Sequence, residues 1–183
     1  MNRLKHLIMQ LLLKKEIKDL SHSYQVEISR IAAQASLRTK MLDAAEAALR
    51  EKNQIIIGNA KNKDDVSFWV AQQVCGSDIR FSLYGENYGQ SHPRINASYV
   101  KRTGEEDHIE INDIITTEDR GNASLLMPYF IAYCKTTSAH YISGELSSID
   151  KDHFDRSVHF YTKHGFKVSF NETKTSGSIK YGL

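Results

Sequence analysis

Glu118-Asp119-Arg120-Gly121-Asn122-Ala123-Ser124 follows the apolar-rich run Ile109 to Ile115 and opens a segment of helical character that reaches about Thr137. A strand feeding a glycine-containing turn into a helix start is a layout that binds phosphate through backbone N–H groups. Gly121 has no Cβ, so the backbone there can approach a ligand closely or take a positive φ. Ala123 is also small, and Asn122 or Ser124 can cap the helix that follows. Arg120 supplies a charge suited to a charge-assisted contact. The same residues describe an ordinary turn into a capped helix, and on this segment alone the two readings stand even.

Downstream, His140–Leu146 reads as a strand, Asp152–His164 as a helix and Val168–Phe170 as a strand, so the pattern after Ile109 alternates β, α, β, α, β. Asp152 is placed as an N-cap and Asp155, three residues on, as its capping-box acid. Lys163 and His164 occupy the last turn before a C-cap glycine, Gly165. Ser178–Tyr181 alternates and can pair back across the turn at Thr173–Gly177. Upstream, Ile55–Gly58, Ile79–Tyr84 and Arg94–Lys101 read as strands, and Lys63–Val74, with the single Trp, fits a helix. An antiparallel beginning followed by βα units predicts an α/β chain with a mixed sheet covered by helices.

Residues 1 to 52 differ in character. Apolar residues recur at helical spacing from Leu4 to Leu12, and again from Val26 to Leu49 after Ser21-His22-Ser23, which predicts two helices, the second long. The chain therefore divides into a helical arm, 1–52, and a main domain, 53–183. An apolar stripe must be buried against something, either the main domain or a second copy of the chain as a homodimer through these helices. The start superficially has the basic and apolar regions of a signal peptide, but Gln10 and Lys14-Lys15-Glu16 interrupt it, so an amphipathic helix is the reading and no membrane role is expected.

At 183 residues, with 40% hydrophobic and 25% charged, the chain can form one good core. The net charge of +2 is too small to argue for a nucleic-acid partner. It is uneven: ten Lys/Arg against six Asp/Glu through Lys52 give +4, leaving 14 against 16, or −2, for the remainder. Cys75 and Cys134 show no zinc or disulfide spacing, and reduced thiols in the cytoplasm are the simplest expectation. Neither cysteine has an activating context, no GxSxG elbow occurs, and the eight histidines carry no metal signature, so no metal is expected.

Two motifs in this order resemble the GNAT superfamily of acyl-coenzyme A-dependent N-acyltransferases. That family's phosphate loop has the form Gln/Arg-x-x-Gly-x-Gly/Ala after its fourth strand, and Glu118-Asp119-Arg120-Gly121-Asn122-Ala123 falls on it. Asp155-x-x-Val158-x-x-Tyr161-x-Lys163-x-Gly165-Phe166 is similar to the family's Asn-x-x-Ala-x-x-Tyr-x-Lys-x-Gly-Phe. The likeness covers about Ile109 to Phe170. It implies a central mixed sheet flanked by helices, here with an N-terminal helical extension, and an acetyl-CoA co-substrate whose acetyl group passes directly to an amine.

The resemblance also implies roles. Backbone groups of Ile114, Ile115 and Thr116 would hold the pantetheine arm at a splayed strand edge, and those of Arg120, Gly121, Asn122, Ala123 and Ser124 the pyrophosphate. Asp155 stands at the family's Asn position on the cofactor side. Tyr161 would protonate the departing thiolate. An amine must be neutral to attack, so a carboxylate or water takes its proton; Glu110 is the first candidate, with Asp113 and Glu145 behind it. The acceptor is a small amine or an amine of a peptide or protein, selected by segments early in the chain. Glu118, Asp155 and Pro128 depart from the family pattern, and they motivate the alternative of an inactive GNAT-shaped binding or assembly module.

Overall fold

A computed structural model describes residues 2–50, 53–85, 92–116 and 121–183, with side chains throughout except at 2–4, 7–8, 48 and 150–151. Thr117 to Arg120, and with them Glu118 and Arg120 of the motif, lie outside the described residues. The chain forms two compact units, Met1–Leu42 and Asp43–Leu183. The division falls ten residues before the boundary expected from sequence, because Ala44 and Ala45 are already part of the second unit's packing.

One helix, α1 (Asn2–Arg50), stands where the sequence predicts two. Polar residues were expected to break it, but Ser23 Oγ donates to the Leu20 carbonyl at 2.8 Å, so its hydroxyl bonds the helix itself. Ser29 and Thr39 do the same to Gln25 and Ala35. No described helix is long and apolar enough to cross a membrane.

The second unit is built on an eight-stranded sheet in the order β1-β2-β3-β4-β5-β6-β8-β7. Its strands are β1 (Gln54–Lys61), β2 (Ser67–Cys75), β3 (Asp78–Tyr84), β4 (Arg94–Val100), β5 (His108–Ile115), β6 (Tyr141–Leu146), β7 (Lys167–Phe170) and β8 (Gly177–Gly182). Helix α2 (Asn122–Cys134) connects β5 to β6, and a 3-10 turn (Ser148–His153) leads into α3 (Phe154–Lys163) before β7. Among the described strands only β5 and β6 pair in parallel, as a strand–helix–strand crossover requires; the other neighbours are antiparallel. The helix predicted over Lys63–Val74 is instead a loop over residues 63–66 followed by β2. Phe68 and Val70 are buried on one face and Ala71 on the other, so the strand carries a continuous apolar run in place of an alternation.

The register aligns one apolar face across the sheet: Ile79, Ala97, Ile111, Gly144, Ile179 and Val168 form a single row. Both helices pack there. Phe130 of α2 meets Phe81 edge-on at 5.7 Å, and Phe154 of α3 tilts over Phe170 at 4.9 Å. The opposite face is polar along the row Ser98, Glu110, Ser143 and Lys180. With Leu126, Met127 and Phe130 fully buried, α2 is fixed against the sheet and its first turn has a defined place.

Candidate active site

Parallel pairing between β5 and β6 runs only from His108–Tyr141 to Ile111–Gly144. Beyond that point β5 continues to Ile115 beside β4, whereas β6 continues to Leu146 beside β8. The two strands part. A bulge at Asn112, between the Ala97–Ile111 and Asn96–Asp113 pairs, bends β5 at the parting. Asn112 is held there by its Nδ2, which donates to Ser98 Oγ at 2.7 Å.

At the mouth of this gap lies the start of α2. Gly121 sits in the left-handed region, φ 75° and ψ 10°, and no side chain caps the helix. The side-chain cap expected from Asn122 or Ser124 is therefore absent, because Gly121 itself occupies the cap position. The first N–H groups of the helix have no intrahelical acceptor until Leu125 bonds the Gly121 carbonyl at 3.2 Å. Asn122 is buried, and its Oδ1 accepts from Asn62 Nδ2 at 3.5 Å. Asn62 in turn closes its own loop, its Oδ1 accepting the N–H groups of Asp64 and Val66 at 3.0 Å each. That loop lays the Lys63 side chain over Gly121: a Cβ built on the glycine would lie 3.4 Å from Lys63 Cγ and Cε.

Pro128 does lie inside α2. Its missing N–H removes the donor that would serve the Ser124 carbonyl, one turn earlier. The helix nonetheless continues to Cys134, held by the burial of its apolar side.

Helix α3 begins differently from the sequence reading. Asp152 belongs to the 3-10 turn, the cap residue is His153, and no side-chain cap bond forms, so the capping box is not made. Asp155 keeps a favourable position in the first turn, next to the positive end of the helix dipole. The far end follows the expected grammar closely. Gly165 is left-handed at φ 86°; its N–H bonds the Thr162 carbonyl at 3.0 Å, and the Phe166 N–H bonds the Tyr161 carbonyl at 3.0 Å. The Tyr161 and Phe166 rings meet at 5.5 Å, the apolar contact that accompanies this ending.

These parts surround one cleft of about 910 Å³. Of the residues expected from sequence, Ile114, Thr116, Gly121, Asn122, Ala123, Ser124 and the buried Tyr161 line it. Ile115 borders Arg94 on β4 and does not line it. Glu110 does not either: it lies in the paired part of β5, opposite Ser143. Asp155 faces a separate hollow with Val158 and Thr162. Asp113 and Glu145, the second-ranked carboxylates, do line the cleft, one on each parting strand.

Sequence reasoning missed Lys61, Asn62, Lys63 and Arg156, which complete the wall. The Asn62-x-Asp64 spacing of an Asx turn was a usable signal, obscured by the helical reading of that stretch. Lys61 pairs with Asp65 at 2.9 Å. The lining holds four Lys/Arg (Lys61, Lys63, Arg156, Lys163) against two acids (Asp113, Glu145), an excess of two positive charges that suits an anionic ligand. Just behind α3, burial and then the Lys163 charge hold the His164 imidazole below its usual pKa. Among the described residues no group of three His, Cys, Asp or Glu is placed to hold a metal.

The fold has a counterpart among solved structures. The GNAT domain of S. lividans PAT superposes with a TM-score of 0.53 over 69% of this chain and 96% of that domain, at 8% identity. The fold is that of the GNAT superfamily. The GNAT fold covers part of the chain, and at that identity the likeness speaks for architecture alone. An acetyltransferase from Bacillus subtilis solved in complex with CoA aligns over 58% of this chain and 78% of its own at 13% identity, with a TM-score of 0.43. In sequence, the chain is 36% identical over 76 residues to the uncharacterized protein YocC of Bacillus subtilis strain 168, a stretch that spans 42% of this chain and 46% of that protein. No sequence model of a known family matches the chain.

Proposed function

We propose that the chain is an acyl-CoA-dependent N-acyltransferase, with acetyl-CoA as donor and an amine as acceptor. One observation carries this reading: the gap between β5 and β6 opens into the same cleft as the left-handed turn at Gly121 and the buried Tyr161. An extended thioester cofactor needs those three things together. The open edge of β5 around Ile114 offers backbone groups to an amide-bearing arm, the N–H groups that open α2 after Gly121 suit a pyrophosphate, and Lys63 lies over that turn with its charge.

The chemistry assigned to the residues is direct transfer. The neutral amine attacks the thioester carbonyl, the C–S bond breaks, and the Tyr161 hydroxyl gives its proton to the departing thiolate. The proton leaving the amine nitrogen goes to Asp113, Glu145 or a water between them, since these carboxylates line the cleft and Glu110 does not.

The test uses the full chain with acetyl-CoA and a panel of amines, following free thiol release, beside calorimetric titration with CoA. Tyr161→Phe should lower turnover by about 100-fold or more, the scale of a lost general acid, with CoA affinity almost unchanged. Absence of CoA binding at millimolar ligand would refute the proposal. Saturable binding without turnover on any amine would point to a GNAT-shaped binding module instead.

A further inference from the structure

We infer that α1 joins a second copy of this chain in an antiparallel helical pair centred near Glu27 and Ile28. At 100° per residue, Leu13, Ile17, Leu20, Tyr24, Ile28 and Ile31, continued by Ala35 and Leu42, fall on one stripe about 100° wide. Its large members are 52 to 64% exposed. Their spacing alternates between three and four residues, with one extra step of four at Leu20-Tyr24-Ile28, as in helices that pack along a seam. Lys15 and Lys40 lie on the far side of the helix and point away from such a partner.

The stripe contains one charged residue that decides the orientation. Arg38 stands between Ala35 and Leu42. In a parallel pair Arg38 would meet Arg38 of the other copy, and the one opposite-charge contact on the flanks would be Lys14 beside Glu16. Turned antiparallel, the same stripe is self-complementary. Leu13 lies opposite Leu42, Leu20 opposite the small Ala35, and Tyr24 opposite Ile31. Arg38 then falls beside Glu16 of the second copy. At the two-fold Glu27 lies beside the second copy's Glu27, and the Arg30 that each bonds within its own helix at 2.7 Å offsets the two like charges. Every other pair occurs twice, as a two-fold interface demands.

The area is adequate. Burying about two thirds of the exposed part of the seven large side chains from both copies removes on the order of 1,000 Å², the threshold for a specific interface. A basic helix could instead lie on an anionic membrane, but that calls for charge gathered on one face and a broad apolar face without Arg38 in its middle.

Sedimentation equilibrium of the full chain over a dilution series should give twice the single-chain mass of 20.8 kDa. Arg38→Glu should weaken the dimer about tenfold or more, Glu16→Arg likewise, and the two together should restore it. The positions are too far apart along one helix to compensate within it. A monomer at all concentrations overturns the inference, including one that binds vesicles of anionic phospholipid. A dimer unaffected by Arg38→Glu and by Ile28→Asp overturns the seam, and a dimer that the double exchange fails to restore overturns the antiparallel arrangement.

Discussion

Gly121→Ala separates the folding role of the α2 turn from its ligand role. The residue sits at φ 75°, where a side chain costs about 1–2 kcal/mol. The new methyl also meets Lys63 at 3.4 Å, ordinary contact that the flexible lysine tolerates. The fold should therefore survive with its melting temperature lowered by about 2–8 °C, given about 2–4 °C per kcal/mol for a chain of this size. The ligand effect is larger. Relief of the strain rotates the N–H groups that open α2, and losing one charge-assisted bond of about 1.5–3 kcal/mol raises the CoA dissociation constant by about 10- to 100-fold. Lys63→Ala leaves the turn intact and removes only an exposed charge, so its effect should be less than tenfold and should fade as salt is raised. Calorimetric titration with CoA and thermal denaturation on the same samples read both quantities. A Gly121→Ala protein that melts lower yet binds CoA within twofold of the parent would refute the assignment of this turn to phosphate. An unchanged melting temperature would refute the left-handed turn itself.

Three further outcomes follow from the site and its surroundings. Glu145→Gln or Asp113→Asn should lower turnover by about 100-fold where that group takes the amine proton, whereas Glu110→Gln, in the paired part of β5, should leave turnover within a few-fold; steady-state kinetics with one accepted amine decides this. At pH 8 a thiol reagent should modify only the exposed Cys75 in the native protein, because burial pushes the Cys134 thiol up to about 12; unfolding should release the second, and two fast thiols in the native state would contradict the packing of α2. His164 is held below its ordinary pKa in the fold, so the unfolded chain binds the extra proton first as pH drops below about 6.5. Its contribution to stability is complete above that value and is lost as the pH falls further. Thermal melts should show this decline, and His164→Phe should flatten it.

The half of the molecule that forms the turn and the Tyr161 helix was legible because its signals are local. Gly121 at a strand-to-helix junction and Gly165-Phe166 after a helical stretch each announce a backbone conformation, and both glycines are left-handed as that requires. The misreadings have physical causes of their own. Phe68-Trp69-Val70-Ala71 lies in a strand covered on both faces, which erases the period of two. Ser21-His22-Ser23 looked like a break because serine competes for backbone bonds, yet Ser23 spends that capacity inside the helix. The cap on α3 failed because the chain tightens into a 3-10 turn just before it. Lys63 and Arg156 were beyond any local signal: the first reaches Gly121 from 58 positions away in the chain, through a loop closed by Asn62. Glu110 and Glu145 look alike in sequence, and only the end of the β5–β6 pairing at Ile111–Gly144 distinguishes them.

The order β6-β8-β7 has a consequence for how the protein is made. β6 shares four residue pairs with β5 but six with β8, a segment that the ribosome delivers only at Gly177–Gly182. Until those residues emerge, β6 has a bare edge and little to draw it away from β5. During synthesis the half-finished sheet is thus a sticky one, open to pairing with the wrong neighbour. The parting of the two parallel strands therefore depends on β8, whose six pairs with β6 hold one wall of the gap away from β5.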